Sequence, residues 1–305
     1  MFSSRLQDKT VLICNTLRAL ASLAGAQRWA ALLLMMGTGA HAGEAPDLAQ
    51  LLSGHPPAAQ LWLLGEVHDN AQQHALRLRA FEALLATGAR PALLMEQLDR
   101  ERQSLIDRLR TDAGPRPPDA QRVIDVAAPS KASWQWDFYR PFIALALKHE
   151  LPIVAANVSR HDARLVASQG LAAQGFDANV PEDILRTQTN LIVASHCGMI
   201  DAAQALRMAY AQVARDQFMA KMLEQHRERG AVLLAGNGHV RRDIGVPRWL
   251  SADTRQHTQA IGLLEAGDHN AQAFDTALST PSQQRQDPCA SMPRPAAPPP
   301  LAASR

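Results

Sequence analysis

Four short apolar runs punctuate the chain, each followed by polar residues: QLWLL at 60–64, ALLM at 92–95, PIVAA at 152–156 and AVLLA at 231–235. They are continuous, not alternating, as in strands of a parallel sheet covered on both faces. QAIGLL at 259–264 is a fifth run of the same kind. Between the first two, His74, Leu78, Phe81 and Leu85 recur at helical spacing, with Asn70 placed to cap the segment and Gly88 to close it before Pro91. Strand, helix, strand over about 35 residues is a βαβ unit, whose crossover is right-handed.

Further helices are expected after MEQLD, with Leu105, Ile106 and Leu109 on one side, and from Pro141 to His149. The segment 158–200 is weakly patterned and reads as loops with short helices. A long helix spans roughly 201–229 and stops at Gly230. Aromatics are only 5% while Ala and Leu are plentiful, which favours helices over an all-β design. The expected fold is α/β, a mainly parallel central sheet flanked by helices, with a helical excursion between the third and fourth strands.

The chain ends depart from this pattern. Arg5, Lys9, Arg18 and Arg28, the apolar WAALLLMMGTGA and the small residues of Ala40-His41-Ala42 predict an export signal over residues 1–42 and a periplasmic protein. The apolar run is shorter than the roughly 20 residues of a membrane span. Ile13 precedes Cys14, where a lipid-attachment site needs a small residue, so the sequence does not support a lipid anchor. The leader carries a net +3, so removing it from the formal +2 leaves the rest near −1, a balance that gives no support for nucleic-acid binding. Residues 43–278 are expected to form the α/β domain, and the Pro/Ala/Ser-rich 279–305 a disordered tail. Cys197 and Cys289 remain beyond the leader; an oxidising periplasm permits their pairing, but the sequence alone does not show contact.

In a parallel sheet, the residues after each strand share the carboxyl edge, where α/β proteins place their ligand crevices. That edge collects Gly65-Glu66-Val67-His68-Asp69, then Glu96-Gln97, then Asn157 and Ser159-Arg160-His161, then Gly236-Asn237-Gly238-His239. Glu66, His68, Glu96 and His239 form a set suited to a divalent metal ion or to direct activation of water. Asp69 and Asn70 read as helix caps, and His74 as a packing residue on an apolar face. No Gly-x-Ser-x-Gly elbow and no His-Glu-x-x-His pair occurs. GNGHV lacks the third glycine of a dinucleotide loop.

The blocks LLGEVHDNAQQHAL, LLMEQLDR, WQWDFYRPFIALALKHELPIVAANVSR, HCGMI, ARDQFMAKML and AGNGHVRRDIGVPRWL resemble, in matching order over about residues 60–250, the ChaN family of haem-binding uptake proteins. The resemblance implies a protein of bacterial iron acquisition that binds haem between the subunits of a homodimer through a tyrosine, with a link to outer-membrane haem uptake. It also extends to the Tiki proteases and erythromycin esterases, in which the positions of Gly65, His68, Glu96 and His239 line a hydrolytic or metal site. The sequence holds two tyrosines, Tyr139 and Tyr210. Tyr210 is the first expectation for the iron ligand, and Tyr139, His196, Met199 and Met208 are the further ones. Haem binding is therefore the expected function, with a divalent-metal-dependent peptide or ester hydrolase as the alternative.

Overall fold

The computed structural model describes residues 47–54, 60–111, 118–128, 134–287 and 289–290. The expected leader and residues 291–305 of the expected tail lie outside them. Six strands form one all-parallel sheet in the order β3-β2-β4-β1-β5-β6, with β1 Leu61–Leu64, β2 Ala92–Asp99, β3 Ile153–Asn157, β4 Ala231–Leu234, β5 Thr258–Glu265 and β6 Thr276–Thr280. The α-helices are α1 Leu48–Ser53, α2 Ala71–Ala86, α3 Gln103–Thr111, α4 Ala120–Ala127, α5 Trp136–Lys148, α6 Arg160–Gln169, α7 Glu182–Ser195, α8 Ala202–His226, α9 Asn237–Val240 and α10 Ala252–Gln256.

Alternation along each strand divides the core into two layers. Trp62, Leu64, Leu93, Met95, Ile153, Val232, Leu234 and Ile261 pack beneath Phe81 and Leu84 of α2 and Tyr139 and Phe142 of α5. Their neighbours Leu61, Leu63, Leu94, Val154 and Leu233 pack against Met219 and Leu223 of α8. Both faces are thus apolar, which is why the strand sequences read as unbroken runs. Each fully buried Leu, Ile or Phe contributes about 1.5–3 kcal/mol. The excursion between β3 and β4 is α6, α7 and α8. Only the later part of α8 packs on the sheet; its first turns pack on α7 through Ile192, Ala205 and Ala209. The two helices therefore form an arm with its own small core.

Several boundaries differ from expectation. Helix α5 begins at Trp136, not at Pro141, which sits inside it. Proline there forgoes one backbone hydrogen bond, and burial of Trp136, Tyr139, Phe142 and Ile143 outweighs that loss. Segment 158–200 holds two regular helices. The pattern was weak because α7 buries only Ile184, Gln188 and Ile192, one of them polar. Strand β6, TALST, is a half-exposed edge strand without an apolar run.

The start of the expected tail is also corrected. Residues 279 and 280 complete β6, and Arg285 clamps Asp69 and Glu265. Cys289 is disulfide-bonded to Cys197 at the tip of the arm. Cys197 adopts a positive φ of 57°, so the bond joins a turn that is already tightly wound.

Candidate functional site

Beyond β1 the chain turns over the carboxyl edge. A Cβ on Gly65 would stand 2.3 Å from Asn237 Oδ1, so only glycine fits this approach to the β4 exit. Glu66 turns inward and is buried. Its carboxylate accepts the Tyr139 hydroxyl, pairs with the fully buried Arg77 guanidinium and receives His68 Nδ1 at 2.7 Å. Arg77 also donates to the Leu64 carbonyl and, at 2.9 Å, to His74 Nδ1. His74 Nε2 stands 2.9 Å from the His68 carbonyl, so Nε2 carries the hydrogen and Nδ1 accepts from Arg77. Burial, the largest influence, pushes the His74 pKa down to about 4 and keeps the ring neutral. Stacked on Phe138 at 4.3 Å, His74 is the packing residue expected of it.

His68 donates Nδ1–H to Glu66 and so presents Nε2 on the other side of its ring. Trp134 meets it edge-on at 4.9 Å. Glu96 lies within β2, and its Oε2 accepts the Gly236 N–H at 2.7 Å. Its Oε1 stands 3.5 Å from His239 Nε2. A Cβ on Gly236 would fall 2.9 Å from His68 Nε2 and 3.7 Å from Glu96 Oε2, which places both groups around this glycine. On its far side, His239 Nδ1 lies 2.6 Å from Oδ1 of Asp216, a buried acid of α8. Two imidazoles, each backed by a buried carboxylate, therefore flank Glu96.

The charges are mutually dependent. Burial works to lower the His239 pKa, but the Asp216 and Glu96 carboxylates outweigh it and hold the ring protonated well above its usual range. Burial works to raise Glu96, and the His239 and His68 imidazoles outweigh it, so this carboxyl stays ionised. For Asp216 burial dominates and raises the pKa despite His239.

His68, Glu96 and His239 line one cleft of about 580 Å³, together with Trp134, Gln97, Arg160 and Arg215. Glu66 is not among its walls: it stands behind His68, its oxygens occupied by Arg77, Tyr139 and His68. That position removes it from any ligand set at the cleft. Among the described residues no group of three or more His, Cys, Asp or Glu side chains is arranged to hold a metal ion. Asn70 caps α2 through the Gln73 N–H, while Asp69 pairs with Arg285.

The expected iron ligands separate. Tyr139 is a core residue, fully buried with its hydroxyl donated to Glu66, and burial, the main cause, raises its pKa far above the phenolic range. It offers no oxygen to a haem at the surface. Tyr210, Met208, His196 and Met199 all belong to the arm, away from the cleft walls. Tyr210 is half-buried beside the cluster of Val166, Ile184 and Val213, and Met208 packs on Ile192, Ala205 and Ala209. Met199 is exposed at the tip. His196 Nδ1 lies 2.8 Å from the Ile192 carbonyl and so carries the hydrogen, leaving Nε2 with a free lone pair.

Sequence reasoning missed Asp216. Its signal was an acid spaced three and four residues from the core residues Val213, Met219 and Ala220 of an otherwise amphipathic helix.

Residues 56–250 match the family described as haem-binding uptake, Tiki superfamily, ChaN. Among solved structures, ChaN of Campylobacter jejuni with cofacially bound haem is similar at 20% identity and a TM-score of 0.61, over 75% of this chain and 89% of that one. The type III effector HopBA1 is similar at 13% identity and a TM-score of 0.45, over 77% of this chain and 94% of that one. RRSP, a MARTX toxin effector domain from Vibrio vulnificus, aligns at 14% identity and a TM-score of 0.40, over 70% of this chain and 35% of that one. At these identities the likeness to ChaN shows a shared fold, and the other two carry no argument. No curated protein matches the sequence.

Proposed function

The chain belongs to the ChaN haem-binding uptake family of the Tiki superfamily, and from this we propose that it binds haem in the service of bacterial haem or iron uptake, holding it between two copies of the chain. The family match carries the reading, and it spans both the cleft and the arm. The arm is the part of the chain suited to iron. It bears His196 with a free Nε2, the exposed Met199, and Met208 and Tyr210 on α8, all recognised types of axial ligand. Cofacial binding by the Campylobacter jejuni relative supports a paired arrangement, since two chains related by a two-fold axis bring equivalent surfaces face to face. The leader expected at 1–42 supports a periplasmic location, which cell fractionation checks.

Titration with hemin is the direct test. Binding gives a shifted Soret band that saturates at a fixed stoichiometry, and no shift rejects the reading. Separate His196→Ala and Tyr210→Phe variants decide the ligand, and sedimentation with and without hemin tests the pair.

A second reading attaches to the cleft, because two carboxylate-backed imidazoles converge on Glu96. We propose a metal-independent hydrolytic site for an ester or peptide. With Nδ1–H donated to Glu66, His68 Nε2 accepts a proton from water as the water oxygen attacks the substrate carbonyl. His239, protonated and held by Asp216, gives its Nε2 proton to the departing oxygen or nitrogen. Protein dialysed against chelator retains activity, and His68→Ala abolishes it; unchanged hydrolysis in that variant removes the reading.

A further inference from the structure

Four acids line or adjoin the cleft, and all four are engaged. Glu96 is held by His239 and the Gly236 N–H, Asp216 by His239, Asp69 by Arg285, and Asp99 by the Asn157 amide at 3.3 Å. Neither arginine of the wall makes a close ion pair with a described residue, although Glu96, Asp216 and Asp99 act on Arg215 through space. Arg215 is half-buried, yet of its five N–H donors one is used, toward Gln212 Oε1 at 3.1 Å. Arg160, the exposed first residue of α6, has no carboxylate of a described residue within ion-pairing distance.

A separate observation points to the same wall. Gln97, next to Glu96 on β2, is 3% exposed, and its amide makes no close hydrogen bond, reaching only weakly toward the Tyr139 hydroxyl. Asn157 Oδ1 is also buried and unpartnered. Orphaned amides are rare in folded proteins and mark places where something else completes the bonding.

We propose that this wall is an anion subsite that takes the carboxylate of a small molecule, with Arg215 and Arg160 as its receptors and the Gln97 amide as a flanking donor. A guanidinium fork matches a carboxylate with two parallel N–H···O bonds, and a half-buried one binds it more strongly than a surface lysine does. Gln212 and Arg215 of the wall follow Met208 at helical spacing, so this side of α8 leads from the cleft toward the arm. The carboxylate has two possible sources, a haem propionate or a free carboxylate substrate of the cleft. The subsite stands without either; its identification with a propionate rests on the haem reading.

The test is calorimetric titration of the full chain with succinate, in the wild type and in Arg215→Gln, Arg215→Lys and Arg160→Ala. Succinate binds the wild type, and Arg215→Gln weakens it about tenfold or more. Arg215→Lys restores part of the loss, and the exposed Arg160→Ala weakens binding with no change in melting temperature. Hemin and its dimethyl ester identify the source. A preference for hemin that vanishes in Arg215→Gln assigns the subsite to a propionate, whereas equal binding of the two beside Arg215-dependent succinate binding assigns it to a free carboxylate. If hemin fails to bind while succinate binds, the haem reading falls and the subsite stands. Succinate and hemin affinities indifferent to all three variants overturn the subsite, as does binding of inorganic phosphate with none of succinate.

Discussion

Asp216, in the middle of the 25-residue α8, holds the imidazole of His239, in the one-turn α9, at 2.6 Å, and both side chains are almost fully withdrawn from water. The contact ties the long helix of the excursion to the loop after β4. It also helps to keep the His239 ring protonated.

Replacing Asp216 with Asn removes the first carboxylate that keeps His239 protonated. The His239 titration midpoint, followed by NMR of its ring protons, is expected to fall from about 10 toward 6.5. A midpoint that stays put leaves Glu96 as the sole source of the shift.

The pair also sets a pH window. His239, raised from 6.5 toward about 10, contributes stability that is complete below pH 6.5 and lost as pH rises through its folded value. Glu96, depressed from 4.5 toward about 2, contributes stability that is complete above pH 4.5 and lost as pH falls through its folded value. Their joint contribution is therefore greatest between pH 4.5 and 6.5. Asp216, raised from 3.8 to about 6, works against it from pH 3.8 upward. Urea denaturation across pH should show a decline above pH 6.5 that is shallower in Asp216→Asn.

Arg77→Met leaves the Glu66 carboxylate buried without its cation. The expected loss is about 3–5 kcal/mol in urea unfolding, the cost of breaking a buried ion pair from one side. Tyr139→Phe removes one hydrogen bond to the same carboxylate and should cost less, about 1.5–3 kcal/mol.

Gly236→Ala and Gly88→Ala separate two reasons for a glycine. Gly236 has an ordinary φ of −62°, but its added methyl meets His68 Cε1 and Nε2 at 2.9 Å. Gly88 has open space around it and a φ of 93°. The first variant should displace the His68 ring and shift its NMR signals. The second should cost about 1–2 kcal/mol and leave those signals alone.

Reduction of the Cys197–Cys289 bond, or Cys289→Ser, should lower stability by no more than about 4–5 kcal/mol, the chain-entropy bound for a loop of this length. Arg285→Ala, which removes exposed ion pairs, should cost under about 1 kcal/mol. Melting temperatures with and without reductant check both values.

Five of the six strands and their shared edge were legible because a sheet buried on both faces writes each strand as an unbroken apolar run. The meeting of His68, Glu96 and His239 followed from that topology alone. The role of Glu66 did not: whether a carboxylate faces outward to a ligand or inward to Arg77 depends on a helix returning over it. Arg77 follows His74 by three and precedes Phe81 by four, so an arginine within an apolar stripe was the available clue. Asp216 and Arg215 were hidden for a similar reason, since they reach the cleft only through the angle at which α8 crosses the sheet. Strand β6 was missed because its buried face carries a single large apolar residue, Leu278, beside the buried Thr280, and so writes no apolar run.

The bond between Cys197 and Cys289, 92 residues apart, encloses Asp216 and His239 but leaves Glu66, His68 and Glu96 outside. A protease that cuts the backbone once between the two cysteines therefore yields fragments that migrate as a single band until a thiol is added. The nicked molecule keeps both portions of its pocket on one covalent body, so it can lose the continuity of its chain without shedding half of its active groups.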